Sequence, residues 1–260
     1  MSGSQEKISV IIPNYNGAKY LRECLDSVVS QVYENKEIIV VDGCSVDGSI
    51  DIIFEFINRH PVRLIMAEPK GEPDAINIGM GYAHGDILTF LDSDDYYYPG
   101  ALSIVGDCFK KNNPKWAYGL GNVVDSMGNE TRKLMMTVKT HLMKRYSYNA
   151  LRIVNYILQP SVFWRRELWE EIGQFRVDEK YAFEYEWWLR AGRKYEPFFI
   201  NDYLSTWRMH GGSVTSGNLK QNALDALRLQ REYTSNPFLN MAQSLSYGVS
   251  RFIYARENRK

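Results

Sequence analysis

Cysteine is scarce in this 260-residue chain. Cys24, Cys44 and Cys108 are odd in number and lack the spacing of a zinc site, so reduced thiols in a cytosolic compartment are the simpler reading. Net charge is absent too. The 31 basic residues balance 31 acidic ones, which argues against whole-molecule attraction to nucleic acid or acidic lipid. Apolar runs reach only about five residues, far below the roughly 20 that span a bilayer. Met1 to Lys7 is polar, so no signal peptide is expected, and the chain shows no internal repeat or low-complexity stretch. These absences predict a cytoplasmic protein, at most peripheral on the inner face of the cell membrane. What remains is ordinary globular material, 45% hydrophobic and 24% charged, long enough for one α/β domain with an extension.

The first hundred residues alternate short β-rich runs with helix-period segments. Strands are expected at Ile8–Ile12, Glu37–Val41, Val62–Met66 and Ile87–Leu91, and helices at Tyr20–Ser30, Gly48–Asn58 and Pro73–Ala83. Continuous apolar strands separated by helices imply an α/β fold with a mostly parallel central sheet covered on both faces. Farther on, Trp116–Val124, Leu134–Lys139, Gln159–Trp164 and Leu204–Met209 read as strands, and Arg166–Ile172 and Glu184–Lys194 as helices. Beyond Ser216 the pattern is helical, broken at Asn236-Pro237, which divides the chain into a catalytic domain over 1–215 and a helical C-terminal extension over 216–260.

Open parallel sheets bind ligands at the carboxyl ends of their strands. Strand one ends here in Pro13-Asn14-Tyr15-Asn16, strand two in Asp42-Gly43, and strand four in Asp92-Ser93-Asp94-Asp95. Carboxylates at i and i+2 on an extended turn can face one space and hold Mg2+ or Mn2+ across a nucleoside diphosphate; the alternative is an Asx turn. Asp42 can accept from a uracil imide or a ribose hydroxyl, and Tyr15 either stacks on a base or packs its own loop. Asp74 and Asn77 sit at a helix start that favours anions, or are an ordinary first turn whose acids answer the helix dipole. Glu184 or Glu186 can take a proton from an attacking hydroxyl, but i and i+2 on a helix cannot both face one site, so the other is solvated or capping. His210 is a metal ligand or a structural histidine, and Arg208 is placed to meet a diphosphate.

Taken together, Ile8 to Asn16, Glu37 to Ser49, Asp74 to Gly79 and Gly85 to Asp95 resemble, in that order, the motifs of the family 2 glycosyltransferases of GT-A fold. The resemblance covers roughly residues 7 to 215. It implies inverting, metal-dependent transfer from a nucleoside diphosphate sugar, UDP-sugars favoured, to a hydroxyl of a glycan or lipid-linked acceptor in surface polysaccharide or glycoconjugate synthesis. It further implies that Pro13, Tyr15 and Asp42 hold the nucleoside, that Asp92 and Ser93 contact the donor, and that Asp94 binds the metal with help from His210. Glu184 falls on the catalytic base. This chain departs from many members in having Glu at 184 and Ile76 in place of a basic residue, and it lacks the Gln-x-x-Arg-Trp motif of processive members. One sugar per visit is expected.

Gln159, Tyr181 and Trp187 are candidates for the acceptor pocket, with a tryptophan core as the other reading of Trp187. Residues 220–260 carry seven basic and three acidic residues, with Phe238, Met241, Leu245, Val249 and Phe252 at helical spacing. Such a segment docks on an anionic membrane, on the catalytic domain, or on a second subunit of a homo-oligomer. A sugar nucleotidyltransferase is disfavoured because Asn14-Tyr15-Asn16-Gly17 is not a basic, glycine-rich phosphate loop. A binding module without catalysis is disfavoured by the presence of both Asp94 and a base.

Overall fold

A computed structural model describes residues 5–212 and 219–257, with side chains described for 5–212 and 221–248. The expected domain boundary at 215–216 lies outside the described residues, as do the side chains of Val249 and Phe252.

The chain starts as the alternation predicts: β1 (Ile8–Asn14), α1 (Ala18–Val29), β2 (Lys36–Asp42), α2 (Ser49–Ile57), β3 (Val62–Met66), α3 (Glu72–Tyr82) and β4 (Ile87–Phe90). All seven residues of β1 and all four of β4 are buried, which only a sheet covered on both faces allows. Next come β5 (Tyr96–Tyr97), α4 (Ala101–Asn112), β6 (Trp116–Val124), β7 (Glu130–Thr131), α5 (Lys133–Met143) and α6 (Tyr148–Leu151). The remainder is a 3-10 turn at Gln159–Ser161, β8 (Val162–Arg165), α7 (Arg166–Ile172), α8 (Phe183–Lys194), β9 (Phe198–Arg208), α9 (Leu219–Glu232) and α10 (Pro237–Glu257).

Among the described residues, nine strands form one sheet in the order β3-β2-β1-β4-β8-β6-β9-β5, with β7 on β6. The β3-β2-β1-β4 half is parallel. From β4 onward β8 runs antiparallel, and β6 and β9 pair in parallel with a register shift between Gly119 and Gly121. Mixed pairing is what brings β9, late in sequence, beside the acidic turn that follows β4.

Three expectations change. Gln159–Ser161, expected as the start of a strand, is a 3-10 turn with Pro160 in it, so β8 begins only at Val162. Leu134–Lys139 is no strand: it lies in α5, where Met135, Met136 and Met143 are buried at helical spacing. A six-residue apolar window does not separate the two periods, whereas the stretch extended to Met143 does. Strand β9 begins six residues earlier than Leu204, because Phe198–Ile200 pair with Ala117–Gly119 of β6.

One apolar cluster packs α1, α2 and α4 on one face of the sheet; the other packs α3, α5, α7 and α8 on the opposite face. The second holds an aromatic stack of Trp164, Trp169, Phe175, Trp187 and Trp188, with Trp164 and Trp187 centroids 5.2 Å apart. Helix α9 contributes Leu229 to this cluster. No helix among the described residues is long and apolar enough to cross a membrane.

Candidate functional site

A cleft of about 1420 Å³ opens at the carboxyl ends of β1 and β4 and runs on between α5, the start of α8 and α9. Among its lining residues are Pro13, Tyr15, Asp92, Ser93, Asp94, Gln159, Tyr181, Glu184 and His210. The structure thus brings these nine of the predicted site residues to one space.

The acidic turn is built by what holds it. Leu91 N–H extends the β1–β4 ladder by one bond, and Asp95 N–H closes back on the Asp92 carbonyl at 3.0 Å. Arg208, at the end of β9, is 2% exposed and braces the turn from behind. Its N–H donates to Asp95 Oδ1 at 2.7 Å, its Nε to the Asp94 carbonyl at 2.8 Å, and its Nη2 to Glu23 at 2.6 Å. Tyr20 lies under the guanidinium, centroid 4.7 Å away. Arg208 is therefore absent from the lining, and the expected diphosphate contact is replaced by a brace. Across the turn, His210 Nε2 lies 2.9 Å from Asp94 Oδ2.

Asp92, Asp94 and Asp95 each offer an oxygen, all within 4.8 Å of one another. Buried Asp92 Oδ1 and Asp95 Oδ2 have no hydrogen-bond partner. Burial pushes the Asp92 carboxyl well above its usual range, helped by Glu72, and burial with the charge of Asp94 does the same to Asp95. Glu72, also in the lining, hydrogen-bonds Asp92 and is pushed up to about 7 by burial. Crowded carboxylates with orphaned oxygens, beside an imidazole, are a donor set that fits a hard divalent cation such as Mg2+ or Mn2+.

At the β1 end, Gly17 lets the chain pass close to the turn: a Cβ there would lie 2.4 Å from Asn14 Oδ1 and 2.7 Å from Ser93 Oγ. Tyr15 stands 71% exposed over Gly43. Asp42 is fully buried beneath them and does not reach the lining. Its carboxylate accepts from Asn14 Nδ2 at 2.6 Å, Ser45 N–H at 2.7 Å and Ser45 Oγ at 2.8 Å. It shapes the pocket floor through Asn14, a lining residue whose own part the sequence reading missed.

Asp74 and Asn77 are also absent from the lining. Asp74 accepts from Lys70 N–H at 2.8 Å and so fixes the loop that carries Lys70 into the lining. Asn77, 6% exposed, donates to the Phe175 carbonyl at 2.9 Å and accepts from Phe175 N–H at 3.0 Å. A helix-start pattern cannot distinguish a ligand contact from such a clamp, because both need a polar side chain at the same position.

On the far wall, Glu184 sits in the first turn of α8, where Phe183 is buried in the core. Removal from water raises its carboxyl to about 7, against the backbone N–H groups of Glu184 and Tyr185, which favour the charged form; Glu72 adds to the rise and Lys139 opposes it. Glu186 faces the other way. It is 1% exposed, paired with Arg190 at 2.8 Å and hydrogen-bonded by Tyr233 Oη at 2.6 Å, hence neither solvated nor a cap. Trp187 is fully buried, donates to the Gly173 carbonyl at 2.9 Å, and belongs to the aromatic core instead of the acceptor pocket. Gln159 reaches the lining with its Nε2 on the Phe90 carbonyl at 3.0 Å. Lys139, placed by α5 in the same wall, went unseen in the sequence because its segment reads as a strand.

The comparisons with known proteins bear on this arrangement. A family model described as "Glycosyl transferase family 2" matches residues 9–173. An uncharacterised glycosyltransferase of Rickettsia prowazekii is 29% identical over 231 residues, covering 82% of this chain and 67% of its own. Glycosyltransferase GlyA of Streptococcus pneumoniae is 45% identical over 92 residues, 35% of this chain and only 13% of its own length. Among solved structures, S. aureus TarS 1–349 in complex with UDP-GlcNAc aligns with a TM-score of 0.70 at 20% identity, over 87% of this chain and 66% of that one. Mannosyltransferase PcManGT of Pyrobaculum calidifontis, in complex with GDP-Man and Mn2+, aligns with a TM-score of 0.64 at 20% identity, over 95% and 75%. These likenesses give the fold as GT-A-like. With the family model matching more than half of the chain, over the strands that carry the acidic turn, this chain belongs to glycosyl transferase family 2.

Proposed function

We propose that the chain transfers one sugar per visit from a nucleoside diphosphate sugar, with inversion at the anomeric carbon, to a hydroxyl of a glycan or lipid-linked acceptor. The observation that carries this reading is the opposition, across one cleft, of the Asp92–Asp95 turn and Glu184. In it, Pro13, Asn14, Tyr15 and Gly43 receive the nucleoside, and Ser93 and Lys70 lie along the path of the diphosphate. Asp94 with His210, and the free oxygens of Asp92 and Asp95, would hold a divalent cation. When bound, such a cation neutralises charge on the departing diphosphate. Glu184 accepts the acceptor's proton, and its raised pKa suits a base working near neutrality. The hydroxyl oxygen then bonds to the anomeric carbon as the bond to the diphosphate breaks on the opposite face. TarS and PcManGT were captured with different nucleotides, UDP-GlcNAc and GDP-Man, so both a uridine and a guanosine donor belong in the test.

The test is detection of released nucleoside diphosphate by mass spectrometry over a panel of donors, with and without Mn2+. Release from at least one donor, stimulated by the metal and lost in Asp94→Ala, is the expected result. Unchanged release after chelation would sink the metal assignment, and no release from any donor would sink transfer itself.

A further inference from the structure

The chain is neutral as a whole, yet its charges are unevenly spread. Residues 131–166 hold eight lysines and arginines and no acid. Helix α5 lies at the start of that stretch. Its inner side buries Met135, Met136 and Met143 and brings Lys139 and Leu142 to the cleft. Its outer side is a different surface. Leu134, Val138, His141 and Arg145 follow one another at helical spacing, flanked by Lys133 and Lys144, and all six are exposed. Lys133 has Glu130 at 3.6 Å, whereas Lys144 and Arg145 have no ion pair within 4 Å among the described residues. Cations at a helix C-terminus also answer its dipole, but the dipole gives no reason for Leu134 and Val138 to stand 66% and 54% exposed beside them.

Helix α10, whose Ser246 and Tyr247 line the same cleft, carries an apolar stripe of its own. Phe238, Met241 and Leu245, at i, i+3 and i+7, are 78%, 61% and 65% exposed, while Gln243 on the opposite side of the helix is fully buried. Residues 233–256 are likewise without an acid. The chemistry of these two faces selects among partners. Two copies of the α5 face would bring like charges together across a two-fold interface. Single-stranded nucleic acid needs rings to stack on, and four of the five exposed apolar residues are aliphatic. Aliphatic side chains interleaved with unpaired cations suit the boundary between acyl chains and anionic headgroups.

We infer that the outer faces of α5 and α10 form a docking surface for an anionic lipid bilayer. Phe238, Met241, Leu245, Leu134 and Val138 enter the interface, and Lys144 and Arg145 meet the headgroup phosphates. Helix α5 then presents one side to the cleft and the other to the bilayer. Docking of this kind needs neither donor nor metal, so it stands or falls apart from the transferase reading.

The test is co-sedimentation of the full chain with vesicles of phosphatidylcholine alone and of phosphatidylcholine with about 30% phosphatidylserine. The chain should bind the mixed vesicles at least about tenfold more tightly than the neutral ones, and lose that preference in about 1 M salt. One basic residue near an anionic surface is worth roughly fivefold, so Lys144→Gln combined with Arg145→Gln should weaken binding on the order of 30-fold. Phe238→Ser should weaken binding to the mixed vesicles by about tenfold or more. Thermal unfolding shows that each variant is folded, and the salt series needs no variant at all. Equal affinity for neutral and mixed vesicles, or no sedimentation with either, overturns the proposal. Binding that neither variant changes overturns it too, because the contact would then lie on another face. Sedimentation equilibrium without lipid is the remaining arm. A dimer that either variant dissociates would make these faces an interface between copies, and the lipid surface would fall.

Discussion

Glu184 owes its usefulness to being kept from water. With its carboxyl at about 7, the charged form that can accept a proton predominates only above that pH. The rate should therefore fall on acidification, by about tenfold per pH unit below 7, and level off above it. Glu184→Gln should remove this limb and lower kcat by about 10²–10⁴ while donor affinity stays measurable; a pH-rate profile that is unchanged would exclude Glu184 as the base. Lys139 favours the charged form of Glu184, so Lys139→Gln should move the acid limb to higher pH. Arg208 makes a different kind of contribution. It ties two carbonyls, Glu23 and the acidic turn together from a buried position. Arg208→Ala should cost on the order of 3 kcal/mol, seen as a fall in Tm of roughly 6–12 °C, together with weaker Mn2+ binding. A change in metal affinity without loss of stability would argue instead for direct contact with the ligand.

Elements deliver these side chains from far apart in the chain. Helix α3 is held to the 173–175 segment by Asn77, whose amide satisfies both backbone groups of Phe175. Asn77→Ala strands a buried N–H and C=O, which costs about 1–3 kcal/mol each when unpaired. Urea denaturation should show that loss, and UDP affinity should not change; a selective loss of UDP binding would return Asn77 to the donor site. The strands β1, β2 and β4 were legible because fully buried parallel strands are unbroken apolar runs punctuated by their functional turns. Helix α5 was not. Leu134, Met135, Met136 and Val138 suit either period over six residues, and only packing of Met135, Met136 and Met143 on the second core decides for the helix.

Over the whole molecule, the C-terminal helices are tied to the elements before them. Glu179, 2% exposed, meets Arg176 at 3.1 Å and Arg228 of α9 at 2.5 Å; Arg176 also meets Glu232 at 3.2 Å. Gln243 of α10 donates to the carbonyls of Arg152 and Gln230. Helix α9 is thereby a wall of the cleft, while Phe238, Met241 and Leu245 of α10 remain exposed. Because both arginines are partly exposed, Glu179→Ala should cost only about 1–2 kcal/mol. Its clearer effect should be a higher KM for acceptor with the donor KM unchanged; equal changes in both would mean that α9 supports the fold and not the acceptor half of the cleft.

The sequence alone determined the parallel β1–β4 half and the position of Asp92–Asp95 at a strand end, because both follow from local periodicity and from the rule that ligands meet strand carboxyl ends. It also carried Glu184 through the likeness of its surrounding motif. Which polar residues face the cleft was decided only by tertiary packing. Arg208, Trp187, Asn77 and Asp42 have the chemistry of a binding site, yet each spends polar atoms on neighbours distant in sequence, while Asp74 is held locally by the Lys70 N–H. Glu72 and Lys139 gained their place in the same way, from the crossing of α3 and α5 over the sheet. The acidic turn is local chemistry. The space it acts on, and the wall that selects what enters, come from elements that meet only when the chain is folded.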